Sequence, residues 1–191
     1  FAPSEDSSAE ARKHDVSYKV PKFPAGTSFD KVPQIKVTGA KGTFQPTEMR
    51  LYATDEALHI QVVAFEKEMD KIRRGATGRD VPFWNSDNIE IFLGVGDGLY
   101  KQLGVNFAGG TYEANGQDSS WNVEWTATTK AGDDRWTAEI TLPFKPVGGA
   151  KPAPGAYWRL SVIRNTGRQE ACGFPAAIYR DLSLMAKIYF E

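Results

Sequence analysis

From residue 18 onward this chain runs in short stretches rich in β-branched and aromatic residues, broken by clusters of Gly, Pro, Asn and Asp, with almost no 3.6-residue apolar periodicity. A chain of that pattern buries its apolar side chains by pairing short strands into sheets, as in a sandwich or a barrel. The strongest runs predict strands over Met49–Ala53, Ala57–Phe65, Asn88–Leu93, Lys101–Phe107, Trp121–Thr128, Trp136–Pro143, Tyr157–Arg164 and Ala186–Phe190. Alternation gives each strand two faces. Ile89, Ile91 and Leu93 fall on one side of their strand with Glu90 on the other, and Leu103, Val105 and Phe107 likewise oppose Gln102 and Asn106. Asp55-Glu56, Gly96-Asp97-Gly98 and Ala131-Gly132-Asp133-Asp134 read as tight connections, so consecutive strands pair antiparallel. The expected fold class is all-β, an antiparallel β-sandwich of jelly-roll or immunoglobulin-like type.

The length of 191 residues suits one such domain, and a hydrophobic content of 41% is enough for its core. Residues 1–17 are polar, lack apolar periodicity and read as a leader or linker before a domain at 18–191. With 23 basic against 24 acidic residues, no global field points to nucleic acid or an anionic membrane. No run reaches the roughly 20 apolar residues of a membrane span. Cys172 is the only cysteine, which leaves no internal disulfide and reads as a small buried thiol. The chain begins at Phe1 rather than Met, as expected of a processed or excised piece.

Catalytic patterns are scarce. The two histidines are His14, in the polar leader, and His59, inside a predicted strand, and neither is placed to activate a nucleophile. Asp87 with Glu90, or Glu124 with Glu139, offers carboxylates of the kind glycosidases use, but hydrogen-bonding roles on strand edges explain them as well. The basic stretch Glu66–Pro82 is long for a connection in a compact domain, and loops of that length are usually functional or disordered. Five Trp, seven Tyr and eleven Phe are the conspicuous investment. Trp121, Trp125, Trp136 and Trp158 sit at strand positions that favour packing. Trp84 differs, because it stands at a loop-to-strand junction, where an indole can stack on the apolar face of a sugar ring while neighbouring polar side chains take the hydroxyls.

The run Trp84-Asn85-Ser86-Asp87-Asn88-Ile89-Glu90-Ile91-Phe92 resembles the W-x-x-D-x-V/I-E-I/V-F signature of family 9 carbohydrate-binding modules and of the wider DOMON-like group. The order of the flanking runs agrees. Met49–Ala53 followed by Leu58-His59-Ile60 is similar to the family's hairpin, Gln102-Leu103-Gly104-Val105-Asn106 to its Q-F-x-V-N strand, and Trp136–Phe144 to its W-x-x-E-x-x-I-P-F/W segment. The resemblance implies a non-catalytic module that grips a sugar between two aromatic walls over a polar floor, with structural calcium nearby.

Carried over by motif position, Trp84 is one wall, Glu90 a hydroxyl partner, and Gln102 and Asn106 floor residues. Tyr179, in Tyr179-Arg180-Asp181 where the family has a W-R-D-like segment, is the second wall, with a smaller ring than tryptophan. Arg164 and Asn165 follow the Trp158 strand where relatives carry polar binding groups. The expected partner is a mono-, oligo- or polysaccharide such as xylan or cellulose, and the expected setting is a secreted, extracellular or periplasmic glycan-degrading protein with a neighbouring catalytic domain. Two alternatives remain: a DOMON-like haem domain drawing axial ligands from Met49, Met69, Met185 or His59, and an interaction module in which Trp84 and Tyr179 pack on a neighbouring domain.

Overall fold

The computed structural model describes residues 16–39, 45–96, 98–168, 170–177 and 179–191. Most of the predicted leader, with His14, and Asp97 of one predicted turn lie outside these residues. In chain order the strands are β1 (Ser17–Lys19), β2 (Gln34–Lys36), β3 (Thr38–Gly39), β4 (Thr47–Ala53), β5 (Ala57–Phe65), β6 (Asn88–Gly94), β7 (Tyr100–Asn106), β8 (Thr111–Asn115), β9 (Thr126–Ala131), β10 (Arg135–Pro143), β11 (Tyr157–Asn165), β12 (Ala171–Phe174) and β13 (Ala186–Tyr189), with one short helix, α1 (Phe144–Gly148), after β10.

They form two sheets. The larger runs β1-β13-β11-β6-β7-β8, with β12 pairing the second half of β11 and carrying β3 beyond it; the smaller runs β2-β4-β5-β10-β9. Every pairing is antiparallel except β1 with β13. Because Val16 O also accepts from Lys187 N, the last residues of the expected leader already belong to the sheet.

Alternation decides which side chains fill the space between the sheets. Ile89, Ile91 and Leu93 of β6, with Leu103 and Val105 of β7, face Leu58, Ile60 and Val62 of β5 and Ala138, Ile140 and Leu142 of β10 in one continuous core. Trp136 closes one region of it against Phe107, and Trp158 another against Phe144 and Phe190, both edge to face. At about 25 cal/mol per Å2 of apolar area removed from water, this interior is the main source of stability.

The sequence reading of Trp121–Thr128 as a strand is corrected: only Thr126 onward pairs, and Trp121 and Trp125 lie in an irregular segment on the core rim. The Trp125 indole donates to Glu113 Oε2 at 3.2 Å, and Lys101 Nζ sits over the Trp121 ring, so both indoles have local anchors that outweigh strand propensity. The long Glu66–Pro82 stretch is pinned to the larger sheet. Ala108 N donates to Arg74 O, Val81 N to Thr111 O and Thr111 N to Gly78 O, while the Arg79 guanidinium pairs with the buried Glu113 carboxylate.

Candidate functional site on the outer face of the larger sheet

The register of β11, β6 and β7 assembles the site. Asn165 stands opposite Asn88, Asn88 opposite Asn106, and Phe92 opposite Gln102, so these side chains and that of Glu90 share the face turned away from the core. Glu90 has Gly104 as its β7 partner. A Cβ at Gly104 would come within 2.5 Å of the tip of the Phe83 ring, so the missing side chain is what lets that ring reach the sheet at the β7 partner of Glu90.

Trp84 is carried by a turn whose geometry is fixed from below. The Phe83 carbonyl accepts from Ser86 N, from the Ser86 hydroxyl and from Asn88 Nδ2, and Asn88 Nδ2 also reaches Ser86 O. Phe83 is fully buried; Trp84 stacks on it, with ring centroids 5.3 Å apart and planes 26° from parallel, and keeps 55% of its surface exposed. Tyr112 of β8 supports the indole edge-on at 5.2 Å. The result is a rigid aromatic platform with its outer face in water.

Beside it lies a polar floor. Glu90 Oε2 accepts from Gln102 Nε2 and Oε1 from Asn165 Nδ2, each at 2.8 Å. Asn165 Nδ2 also donates to Asn88 Oδ1 at 3.0 Å, and its Oδ1 accepts from the Tyr179 hydroxyl at 2.6 Å. Glu90 is 5% exposed. Burial raises its carboxyl from 4.5 to about 7, against the opposing pull of the Gln102 hydrogen bond, the Arg180 charge and the Asn165 hydrogen bond. Burial, and then the neighbouring Glu90 charge, push the Tyr179 hydroxyl upward in turn.

The segment after β12 folds back over this face. Ala176, Ala177, Tyr179, Leu182 and Leu184 pack on an outer apolar cluster of Phe92, Ile163 and Met185, which holds Tyr179 edge-on to Phe92 at 6.0 Å. Arg180 adopts a left-handed conformation, φ 64°, and its guanidinium lies 6.0 Å from the Tyr100 ring centroid. A cation therefore hangs at the edge of the floor.

Trp84, Glu90, Gln102, Asn165 and Tyr179 are thus brought together, and two expected residues are not. Asn106 shares the face but is fully buried and already committed, its Nδ2 donating to Ala76 O at 2.7 Å and its Oδ1 accepting from Gly110 N at 2.9 Å. It fixes a loop and leaves no group for a ligand. Arg164 is one residue out of phase and points between the sheets, 1% exposed. There its guanidinium donates to Thr47 Oγ1 at 3.0 Å and to Pro46 O at 3.3 Å, and lies 3.7 Å from the fully buried Glu66 carboxylate. Its role is to tie the two sheets together. Sequence reasoning missed Asn88, Phe83, Tyr112 and Arg180. Alternation with Glu90 could have found Asn88; Tyr112 lies on a strand the sequence reading did not identify.

The other chemistries fit the geometry poorly. Asp87 Oδ2 is taken up by the backbone N–H groups of Arg73 and Gly167, at 3.0 and 3.1 Å, and Glu139 accepts from Gln61 on the opposite sheet. For haem, Met49 points into the filled core while His59 of the neighbouring strand points outward and stacks on Tyr52, so the two share no space. Among the described residues no group of three Asp, Glu, His or Cys side chains gathers to hold a metal. No helix among them is long and apolar enough to cross a membrane.

No protein-family model and no curated protein matches the sequence. Solved structures do match the fold. A candidate carbohydrate-binding protein from Bacteroides uniformis aligns with a TM-score of 0.73 at 12% identity, covering 92% of this chain and 99% of the other. A family 9 carbohydrate-binding module from Caldicellulosiruptor kristjanssonii, solved with glucose, aligns at 0.70 and 15% identity over 92% and 95% of the two chains. A family 9 module from Caldicellulosiruptor kristjanssonii solved with cellotriose aligns at 0.69 and 14% identity, over 91% and 94%. The chain therefore has the β-sandwich fold seen in family 9 carbohydrate-binding modules.

Proposed function

We propose that this domain is a non-catalytic saccharide-binding module that stacks one sugar ring on Trp84 and reads its hydroxyls with Glu90, Gln102 and Asn165. The observation that carries the reading is the exposed indole, locked on Phe83 and Tyr112 beside a carboxyl whose two oxygens are each already oriented by an amide. A neutral polyol needs that pairing of an apolar face with fixed donors and acceptors, because hydroxyls leaving water must be matched one by one. Tyr179, bound down through Asn165, serves as the side of the floor more than as a free wall, and Arg180 is the added donor at its edge.

A binding role without catalysis is favoured by the carboxylates themselves. Glu90 is the single carboxylate of the hydrogen-bonded floor, whereas glycoside hydrolysis uses two flanking the scissile bond. The fold shared with modules solved with glucose and cellotriose supports the same assignment. In this reading the domain belongs to a secreted glycan-degrading protein, which it anchors to substrate.

Calorimetric titration with the monosaccharides glucose and xylose tests the proposal. Binding of at least one saccharide is expected, lost in Trp84→Ala while the circular dichroism spectrum and melting transition stay intact, since an indole 55% exposed contributes little to the core. Unchanged saccharide affinity in Trp84→Ala would overturn it.

A further inference from the structure

On the opposite side of the sandwich, the outer face of the smaller sheet carries a cleft of about 920 Å3, walled by residues 26–30 and floored by β4, β5, β10 and β9. Strand pairing sets its floor as two ladders across four strands. Arg50, Gln61, Glu139 and Thr128 stand side by side in one, and Tyr52, His59, Thr141 and Thr126 in the next. With strands about 4.8 Å apart, each ladder spans roughly 14 Å.

The lining is unlike an ordinary solvated sheet face, because no lysine among the described residues lines it and several of its polar groups are held by one another. Gln61 Nε2 donates to Glu139 Oε1 at 2.8 Å, His59 Nδ1 lies 3.1 Å from Thr141 Oγ1, and Arg50 reaches Glu48 at 3.2 Å and Gln34 at 3.4 Å. The Arg50 Nε, buried, has no hydrogen-bond partner among the described residues. Phe29 of the wall packs edge-on to Tyr52 at 5.3 Å, which fixes the wall against the floor. Arg50 and Arg135 offset Glu48, Glu139 and Asp30, and burial lowers the His59 pKa, favouring its neutral form. Such a cleft offers hydroxyl, amide, carboxylate and guanidinium groups in fixed rows with little net charge, which matches a neutral polyhydroxylated chain and mismatches a polyanion or an apolar peptide.

We propose that this cleft is a second saccharide site, one that takes a neutral oligosaccharide laid across the strands, with Gln61, Glu139, Thr126 and Thr128 as its hydroxyl partners. It is separate from the Trp84 platform and does not depend on it. The platform suits one ring; the cleft suits several in a row. Sites on both faces would let one domain bridge two glycan chains, raising apparent affinity for an array of chains through effective concentration.

The test is amide-resolved NMR titration of the whole chain with neutral trisaccharides (cellotriose, xylotriose and maltotriose), repeated on Trp84→Ala and on the double variant Thr126→Val, Thr128→Val. Valine keeps the shape and β-branching at these exposed strand positions, so the fold should hold. At least one trisaccharide is expected to shift amides of β9 and β10 in the native chain and in Trp84→Ala. The valine pair should weaken those shifts at least tenfold in affinity and leave the signals around Trp84 and Glu90 responding as before. Shifts confined to the Trp84 face would overturn the second site and leave the first standing. Shifts confined to the cleft would do the reverse, and shifts at neither face would overturn both.

Discussion

Glu90 is the residue on which stability and binding meet. The native state holds its proton up to about pH 7, whereas a free carboxyl releases it near 4.5, so between those values the folded chain binds a proton that the unfolded chain has lost. The stability contributed by the neutral form is full below that window and is lost as pH rises through 7, by about 3 kcal/mol in all. Glu90→Gln, which keeps the shape and cannot ionise, should melt close to the native protein at pH 5 and above it at pH 8.5; equal melting shifts at both values would show that Glu90 is not the titrating group. The same change should weaken saccharide binding by about 1–3 kcal/mol above pH 7, where the native carboxylate is the stronger acceptor, and have little effect near pH 5. Calorimetry at the two pH values checks it. Alternation alone put Glu90 on the outer face, and the motif singled it out. Its buried setting could not be read that way, because Tyr179 and Arg180 arrive from 90 residues further along the chain.

At the scale of elements, the turn that presents Trp84 owes its shape to three neighbours in the same motif. Asn88 and Ser86 fasten the Phe83 carbonyl, and Asp87 clamps the backbone of Arg73 and of Gly167, two segments nearly a hundred residues apart. Asp87→Ala leaves the buried Gly167 N–H and the part-buried Arg73 N–H without their acceptor and should cost about 2–3 kcal/mol in chemical unfolding; a loss under 1 kcal/mol would mean that water replaces the carboxylate. The long apolar strands β5, β6, β7, β10 and β11 were legible because alternation over many residues is hard to mistake. β8 and β12 were not: Thr111–Asn115 carries a Glu in its middle, and Ala171–Phe174 carries a Gly whose Cβ would strike Ala176 O at 2.4 Å. Trp121–Thr128 failed for the opposite reason, since its aromatic content imitates a strand while Glu113 and Lys101 hold the indoles elsewhere.

Across the whole molecule, the two sheets are joined by the apolar core and by a buried polar tie, Arg164 to Glu66 and to the start of β4. Arg164→Ala removes one side of that tie and leaves buried acceptors behind, at an expected cost of about 3–5 kcal/mol. Saccharide affinity should be unchanged in the folded fraction, because the guanidinium is on the core side of β11 and Asn165 on the other; selective loss of affinity without loss of stability would return Arg164 to the site. The sandwich was readable from strand spacing, while the division of roles on either side of β11 was not, since a shift of one residue sends neighbours to opposite faces. The most direct measurement of the central claim is a crystal structure of the chain soaked with the saccharide that binds best. A pyranose ring is expected stacked on the Trp84 indole with hydroxyls within hydrogen-bonding distance of Glu90, Gln102 or Asn165. A saccharide bound with the Trp84 face empty would contradict it.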